Sequence, residues 1–178
     1  MGRLVILDRD GVINHDSVHY VKSVDEWVPI PGALEAIAEL KQSGWTVAVA
    51  TNQSGVARGL LSEDTLAEIH QTLRRQLAAL DASVDCIVWC PHGPEEGCDC
   101  RKPRPGLYQQ IGQRFQCSLT GVPVIGDSLR DLQAAVAVGA RPMLVTTGKG
   151  RDTYETGGLP AGTEVFPDLA AAARGLMF

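Results

Sequence analysis

The sequence predicts an α/β domain: a Rossmann-like parallel sheet with helices on both faces. Three observations carry this. Short apolar runs alternate with amphipathic stretches from one end of the chain to the other, the pattern of successive βαβ units. The amphipathic stretches carry recognisable helix starts and stops. The length, 178 residues, suits one well-buried core.

The first buried strand is expected at Leu4 to Leu7. Pro31 fits the first position of a helix containing Ala33 to Leu40, and Gly44 fits the left-handed stop after it. A second strand follows at Thr46 to Ala50. Ser62 can cap a helix from Glu63 to Leu80, with Glu63 and Asp64 at the positive end of its dipole. Further strands are expected at Val84 to Val88, Val122 to Ile125 and Met143 to Val145. The intervening helices are Leu107 to Phe115 and Leu129 to Val138, the latter stopped by Gly139, and a last helix from Leu169 to Gly175 is capped by Asp168. Asn14 to Ile30, Cys90 to Pro105 and Thr147 to Gly162 read as irregular, and loops of that length in a compact domain are usually functional or mobile. No repeat or linker divides the chain, so residues 1–178 are expected to form a single domain.

Composition narrows the function. An apolar content of 44% with 21% charged residues is that of a soluble globular protein. A net charge of −5 argues against a nucleic-acid surface, which needs clustered Lys and Arg. No apolar run approaches the ~18 residues of a membrane span, and the N-terminus has no signal-peptide pattern. A cytoplasmic, monomeric protein is therefore expected, in which Cys86, Cys90, Cys98, Cys100 and Cys117 are reduced.

Open α/β sheets bind ligands beyond the carboxyl ends of their strands, and polar groups collect there. Asp8-Arg9-Asp10-Gly11 follows the first strand, and Thr51-Asn52-Gln53-Ser54-Gly55 the second. Arg101-Lys102-Pro103 follows the third strand and its loop, ahead of a helix start that itself favours anions. Gly126-Asp127-Ser128-Leu129-Arg130-Asp131 follows the fourth. Each fragment alone also reads as an ordinary polar turn, helix cap or solvated cation pair. Together, in this order, they resemble the haloacid dehalogenase superfamily of phosphatases, and the resemblance runs from about Val5 to Gly139.

That resemblance implies a capless haloacid dehalogenase-type phosphatase. Asp8 matches the nucleophile, Asp10 the general acid and base, Thr51 the phosphate-binding hydroxyl, Lys102 the phosphate-neutralising cation, and Asp127 a metal-ligating acid. Asp131 matches the supporting second acid of the last motif. A magnesium ion would be held by Asp8, Asp127 and the carbonyl of Asp10. Asp8 would attack phosphorus, and Asp10 would protonate the leaving alcohol and then activate water.

Cys90-Pro91-His92 and Cys98-Asp99-Cys100 place three thiols and one imidazole within eleven residues. That is a complete tetrahedral zinc set with no position left for substrate. A zinc-binding loop is expected, ordering Cys90 to Cys100 and holding Arg101 and Lys102 beside the pocket. Cys86 and Cys117 read as core or neutral positions, and His70 as a solvated helix residue. His15 and His19 sit in a loop close to Asp10.

Within the superfamily the chain resembles small capless sugar bisphosphate phosphatases, through Asp8 to Asn14, Thr51 to Gly59 and Cys98 to Gly106, with weaker support from Thr147-Gly148-Lys149. The implied substrate is a heptose 1,7-bisphosphate dephosphorylated at C7, in nucleotide-heptose synthesis. Histidinol phosphatases share the Asp-Arg-Asp-Gly and Cys-x-Cys-Arg-Lys-Pro segments and are the alternative. A non-catalytic binding module on the same fold is a remote third. With no large cap, the Asn14 to Ile30 loop, the Ser54 to Gly59 turn and the zinc loop are expected to select the substrate. Asn52, Gln53, Ser54, Arg58 and Arg101 are the expected contacts, the two arginines suiting a second phosphate.

Overall fold

The structure is a computed structural model describing residues 2–178. Its strands are β1 (Leu4–Leu7), β2 (Thr46–Asn52), β3 (Cys86–Cys90), β4 (Pro123–Gly126), β5 (Arg141–Val145) and β6 (Glu164–Phe166). Its helices are α1 (Ala33–Gln42), α2 (Glu63–Ala78), α3 (Gly106–Arg114), α4 (Leu129–Ala137), α5 (Gly150–Thr156) and α6 (Leu169–Met177). The six strands form one sheet in the order β3-β2-β1-β4-β5-β6, and every neighbouring pair is parallel.

Strand periodicity decides which helices cover which face. Val5, Leu7, Val47 and Val49 point to one side, where they meet Ile37 and Leu40 of α1, Leu66, Ile69 and Leu73 of α2, and Leu169 of α6. Leu4, Ile6, Ala48 and Ala50 point to the other, against Leu107, Tyr108 and Ile111 of α3 and Ala134 and Ala135 of α4. Small Ala48 and Ala50 leave room for the Tyr108 ring, which is fully buried. The chain leaves β1 towards β2 on one side, and β4 begins the other side. The strand order therefore reverses between β1 and β4, where ligands of open α/β sheets bind.

Several boundaries differ from those expected. Pro31 lies ahead of α1, which is entered through Gly32 at φ 85; Pro31 is therefore not a first-turn residue. Gly44, at φ 82, does end the helix in the left-handed region. Strand β3 starts at Cys86 and runs to Cys90, paired through Asn52↔Cys90, so β2 and β3 both reach further toward the site. Asp85 does not extend the strand; its carboxylate accepts from Val47 N at 2.7 Å and from Lys41 Nζ at 2.7 Å. The expected caps hold: Ser62 accepts from Thr65 N and Asp168 from Ala171 N. Helix α5 lies within the Thr147 to Gly162 stretch expected to be irregular, and strand β6 just after it. Between β1 and α1 the only regular element among the described residues is a single 3-10 turn, Val24–Glu26, so no cap domain is inserted there.

Candidate active site

The carboxyl ends of β1, β2 and β4 open on a cavity of about 420 Å³. Its floor holds Asp8, Asp10, Lys102, Asp127 and Asp131; its walls include Asn52, Gln53, Ser54, Arg58 and Arg101. Thr51 is fully buried at the tip of β2 and accepts from Gln53 Nε2 at 2.9 Å.

Lys102 is 2% exposed, and its ammonium has three acceptors: Asp131 Oδ1 at 2.7 Å, the Ala50 carbonyl at 2.8 Å and Asp8 Oδ1 at 3.0 Å. Its backbone is clamped by Asn52, whose amide donates to the Lys102 carbonyl (3.2 Å) while its carbonyl oxygen accepts from Lys102 N (3.0 Å). Burial works against the lysine's charge, but Asp131 and Asp8 more than offset it and raise its pKa well above the ordinary range. Asp131 has both oxygens committed, one to Lys102 and the other to the N–H groups of Asp127 and Ser128 and the Ser128 hydroxyl. The bond from Ser128 N is one half of the capping box of α4. The residue that starts the helix thereby fixes the lysine.

Asp8 is pushed well above the usual carboxylate range by burial first and by Asp131 second, against Lys102. Asp127 is pushed up to about 7, again by burial first and Asp131 second. Oxygens of Asp8, Asp127 and Asp131 lie within 4.8 Å of one another. Three carboxylates around one ammonium leave two formal negative charges, which one divalent cation would match. Glycines allow the close packing. A Cβ at Gly11 (φ 82) or Gly148 (φ 56) would overlap the Asp127 carboxylate. Thr147 Oγ1 donates to the Gly11 carbonyl at 2.6 Å, and Lys149 N to Asp127 Oδ2 at 2.9 Å.

Asp10 has the opposite electrostatics. Burial favours its proton, but the charge of Arg9 and hydrogen bonds from Asn14, Arg9 and Gln53 outweigh it and lower the pKa. Oδ1 accepts from Arg9 Nη2 (2.8 Å) and Asn14 Nδ2 (2.9 Å), and Oδ2 from Gln53 Nε2 (2.9 Å). The proton-favouring environment that an acid requires is thus not built into this carboxylate; it rests ionised, ready to accept.

The Cys/His cluster closes as a unit. Cys90 Sγ is 3.4 Å from His92 Nδ1 and 3.6 Å from Cys98 Sγ, and His92 Nδ1 is 3.3 Å from Cys100 Sγ. Ligands about 2.3 Å (S) and 2.0 Å (N) from a tetrahedral zinc stand roughly 3.5–3.8 Å apart, so the four donors fit a zinc shell. Cys98 and Cys100 pack against the α3 side of the core, and Arg101 Nη1 reaches the His92 carbonyl at 3.5 Å.

The structure gathers Asp8, Asp10, Asn52, Gln53, Ser54, Arg58, Arg101, Lys102, Asp127 and Asp131 around the cavity and Cys90, His92, Cys98 and Cys100 into one cluster, whereas Thr51 is buried beneath the cavity and does not line it. Asn52 and Gln53 line the cavity, yet their amide groups hold Lys102 and Asp10. The reading of His70 is corrected. It is 5% exposed and bonded to Arg9, because it falls on the same stripe of α2 as Leu66, Leu73 and Leu77. His15 and His19 are exposed and do not line the cavity. Asp16, Ser17 and Tyr20 of the Asn14 to Ile30 loop, with Arg130 and Lys149, also line it, and the sequence singles out none of these five side chains individually. Arg9 was also passed over, although strand alternation points it away from Asp8 and Asp10, into the interior.

A sheet of this order with two acids after β1, a buried lysine before α3 and an acid after β4 defines a haloacid dehalogenase-type hydrolase. Family models agree: HAD-hydrolase-like matches residues 99–172, and Polynucleotide kinase 3 phosphatase matches residues 4–128. The chain is 57% identical to D-glycero-beta-D-manno-heptose-1,7-bisphosphate 7-phosphatase of Bordetella bronchiseptica, over 98% of both chains. It is also 57% identical to the enzyme of that name from Pseudomonas putida, over 98% of this chain and 99% of the relative. It superposes with a TM-score of 0.97 on the crystal structure of D,D-heptose 1,7-bisphosphate phosphatase from B. bronchiseptica complexed with magnesium and phosphate, again at 57% identity and 98% coverage of each chain. The chain belongs to the D-glycero-beta-D-manno-heptose-1,7-bisphosphate 7-phosphatase family of haloacid dehalogenase-like hydrolases.

Proposed function

We propose that this chain hydrolyses the C7 phosphate of D-glycero-β-D-manno-heptose 1,7-bisphosphate, a step toward nucleotide-heptose for lipopolysaccharide core, through a phosphoaspartyl intermediate on Asp8. The observation that carries this reading is the Asp8 carboxylate at the floor of the cavity, its Oδ1 held 3.0 Å from Lys102, with Asp10 and Asp127 beside it and arginines on the walls. The names of the close relatives support the substrate and its β anomer.

In this reading Asp8 attacks phosphorus in line, while Lys102 and the Thr51 hydroxyl take up charge on the phosphoryl oxygens. Lys102 is suited to this because Asp131 and the Asn52 clamp hold it without reorganisation. The Asp8–phosphorus bond forms as the bond from phosphorus to the C7 oxygen breaks. Asp10 donates the proton to that oxygen, then removes one from the water that cleaves the acyl phosphate. A resting carboxylate at Asp10 must first gain its proton, and the dianionic substrate arriving beside it would favour that.

Asp8, Asp127 and the Asp10 carbonyl would hold magnesium, an assignment supported by the uncompensated charge among these carboxylates and by the magnesium in the B. bronchiseptica enzyme. When bound, the ion would supply Lewis-acid neutralisation of the phosphoryl oxygens. Cys90, His92, Cys98 and Cys100 would hold zinc in a structural role. No described helix is long and apolar enough to cross a membrane, and we place the enzyme in the cytoplasm, where its nucleotide-sugar chemistry belongs.

Phosphate release from the heptose bisphosphate, compared with histidinol phosphate, tests the substrate. A better kcat/KM for histidinol phosphate would overturn it. Asp8→Asn tests the mechanism. Turnover should fall by about four orders of magnitude or more, the scale of losing a covalent nucleophile, with the fold retained, since neutralising Asp8 relieves its crowding by Asp131 and Asp127.

A further inference from the structure

Arg9 lies between the two motif acids and is fully buried. Its guanidinium sits over the Trp27 ring at 5.5 Å. Nη2 bonds Asp10 Oδ1 at 2.8 Å and Nη1 bonds His70 Nε2 at 3.1 Å, while Nε has no partner. Asp10 and His70 are thus the two side-chain acceptors that orient this planar cation among the described residues. Because an arginine only donates, His70 Nε2 must be the acceptor and its ring proton sits on Nδ1. The imidazole is held in turn by the packed stripe of α2 and by the Trp89 ring, at 5.8 Å between centroids and a tilt of 57°.

We propose that His70 is a positioning residue for Asp10, acting through Arg9. With one guanidinium edge anchored on a rigid helix, the other joins Asn14 Nδ2 on Asp10 Oδ1 and, opposite the Gln53 bond on the second oxygen, supplies the charged contact that sets the carboxylate's rotamer. Without the His70 acceptor the cation has one anchor left, an orphaned Nη1 beside an already orphaned Nε, and every reason to turn toward other acceptors. Asp10 would turn with it. The inference rests on the reading of Asp10 as the proton-transfer group. It predicts a defect that scales with the leaving group's need for a proton, because misplacing a general acid harms departure of an alkoxide far more than of a nitrophenolate.

The experiment compares kcat/KM for the heptose bisphosphate and for p-nitrophenyl phosphate, on the metal-replete full-length enzyme. The variants are His70→Met, which fills the space without an equivalent acceptor, and His70→Gln, whose amide oxygen can reach the place of Nε2. His70→Met should lose about 10- to 100-fold on the sugar and less than about 3-fold on the aryl phosphate, a partial loss of the roughly 10²- to 10⁴-fold that a general acid supplies. His70→Gln should recover most of the sugar activity. If His70→Met does not fold, His70→Asn, a methylene too short to reach Nη1, provides the comparison. Equal losses on both substrates, or no recovery with Gln, would overturn the proposal. Asp10→Asn is the control. If it does not itself discriminate between the two substrates, the reading of Asp10 falls, and the role of His70 falls with it.

Discussion

Lys102 lies closer to Asp131, at 2.7 Å, than to Asp8, at 3.0 Å. The shorter contact is to a carboxylate that takes no part in bond making, and both partners of that pair are 2% exposed. Asp131 therefore works as the socket of the lysine, and Asp8 shares the ammonium from the position in which we propose it attacks.

Removing that socket should be expensive. Asp131→Asn leaves a buried ammonium with one carboxylate and weakens the α4 capping box, and breaking a buried pair costs about 3–5 kcal/mol. Urea denaturation should show a loss of that order with an unchanged m-value. Retention of full stability would mean that the pair contributes little. Phosphate release should fall as well, because Lys102 would lean onto Asp8.

The zinc loop should couple stability to catalysis. Cys98→Ser removes one of four donors, and a loss of about 3 kcal/mol or more is expected from such a site, read as a fall in Tm of roughly 6–12 °C for a chain of this size. Elemental analysis should find one zinc per chain in the parent protein and substoichiometric zinc in the variant. Activity should fall too, since Cys100 is followed directly by Arg101 and Lys102. Withdrawing magnesium should instead stop turnover reversibly, with no change in Tm comparable to that of the zinc variant.

His70 gives the fold an acid-sensitive element. Its pKa is lowered from 6.5 to about 3, by burial first and by the Arg9 charge second. Above pH 6.5 both folded and unfolded chains carry a neutral imidazole, and this residue adds no pH dependence. Below it the unfolded chain takes up a proton that the folded chain refuses until about pH 3. Stability is then lost as pH falls, at up to about 1.4 kcal/mol per pH unit. The urea midpoint of the parent protein should therefore drop more steeply between pH 6 and about pH 4 than that of His70→Gln. Parallel profiles would show that the imidazole is not the cause.

How much of this was legible in the sequence depends on what each signal specifies. Asp8, Asp10, Thr51, Lys102 and Asp127 could be read because a parallel sheet delivers consecutive strand ends to one edge, whatever the details of packing. The cluster of Cys90, His92, Cys98 and Cys100 could be read because its loop is short. Arg9 and His70 could not, since their roles depend on side-chain direction and on which stripe of α2 meets the sheet. His70 on that stripe has the spacing of a core residue, and only the packed structure shows the guanidinium it accepts from. Strand β6 is three residues, Glu164–Phe166, too short for an alternation to register. Helix α5, Gly150–Thr156, has one buried residue, Gly150, and so no apolar stripe.

Arg130 was missed for the same reason, and it bears on the last prediction. The Arg101 pKa is lowered by partial burial first and by Arg130 next, with Arg58 also contributing, so Arg101 stands within reach of the charge of both. None forms an ion pair with an acid among the described residues. Arg58 is braced by the Tyr20 ring, 5.8 Å from its guanidinium, and Arg101 by the His92 carbonyl. Such a group is suited to a second phosphate away from the one attacked, and the bisphosphate has one at C1. A charge-assisted hydrogen bond to it is worth about 1.5–3 kcal/mol, or roughly 10- to 150-fold in kcat/KM. Arg101→Ala and Arg130→Ala should each lose about that much on the bisphosphate and clearly less on p-nitrophenyl phosphate, which does not reach the distal arginines. Histidinol phosphate should gain relative to the sugar, because its cationic amine no longer meets so concentrated a positive charge. Equal losses on all three substrates would move these arginines from recognition of the distal phosphate to support of the reacting one.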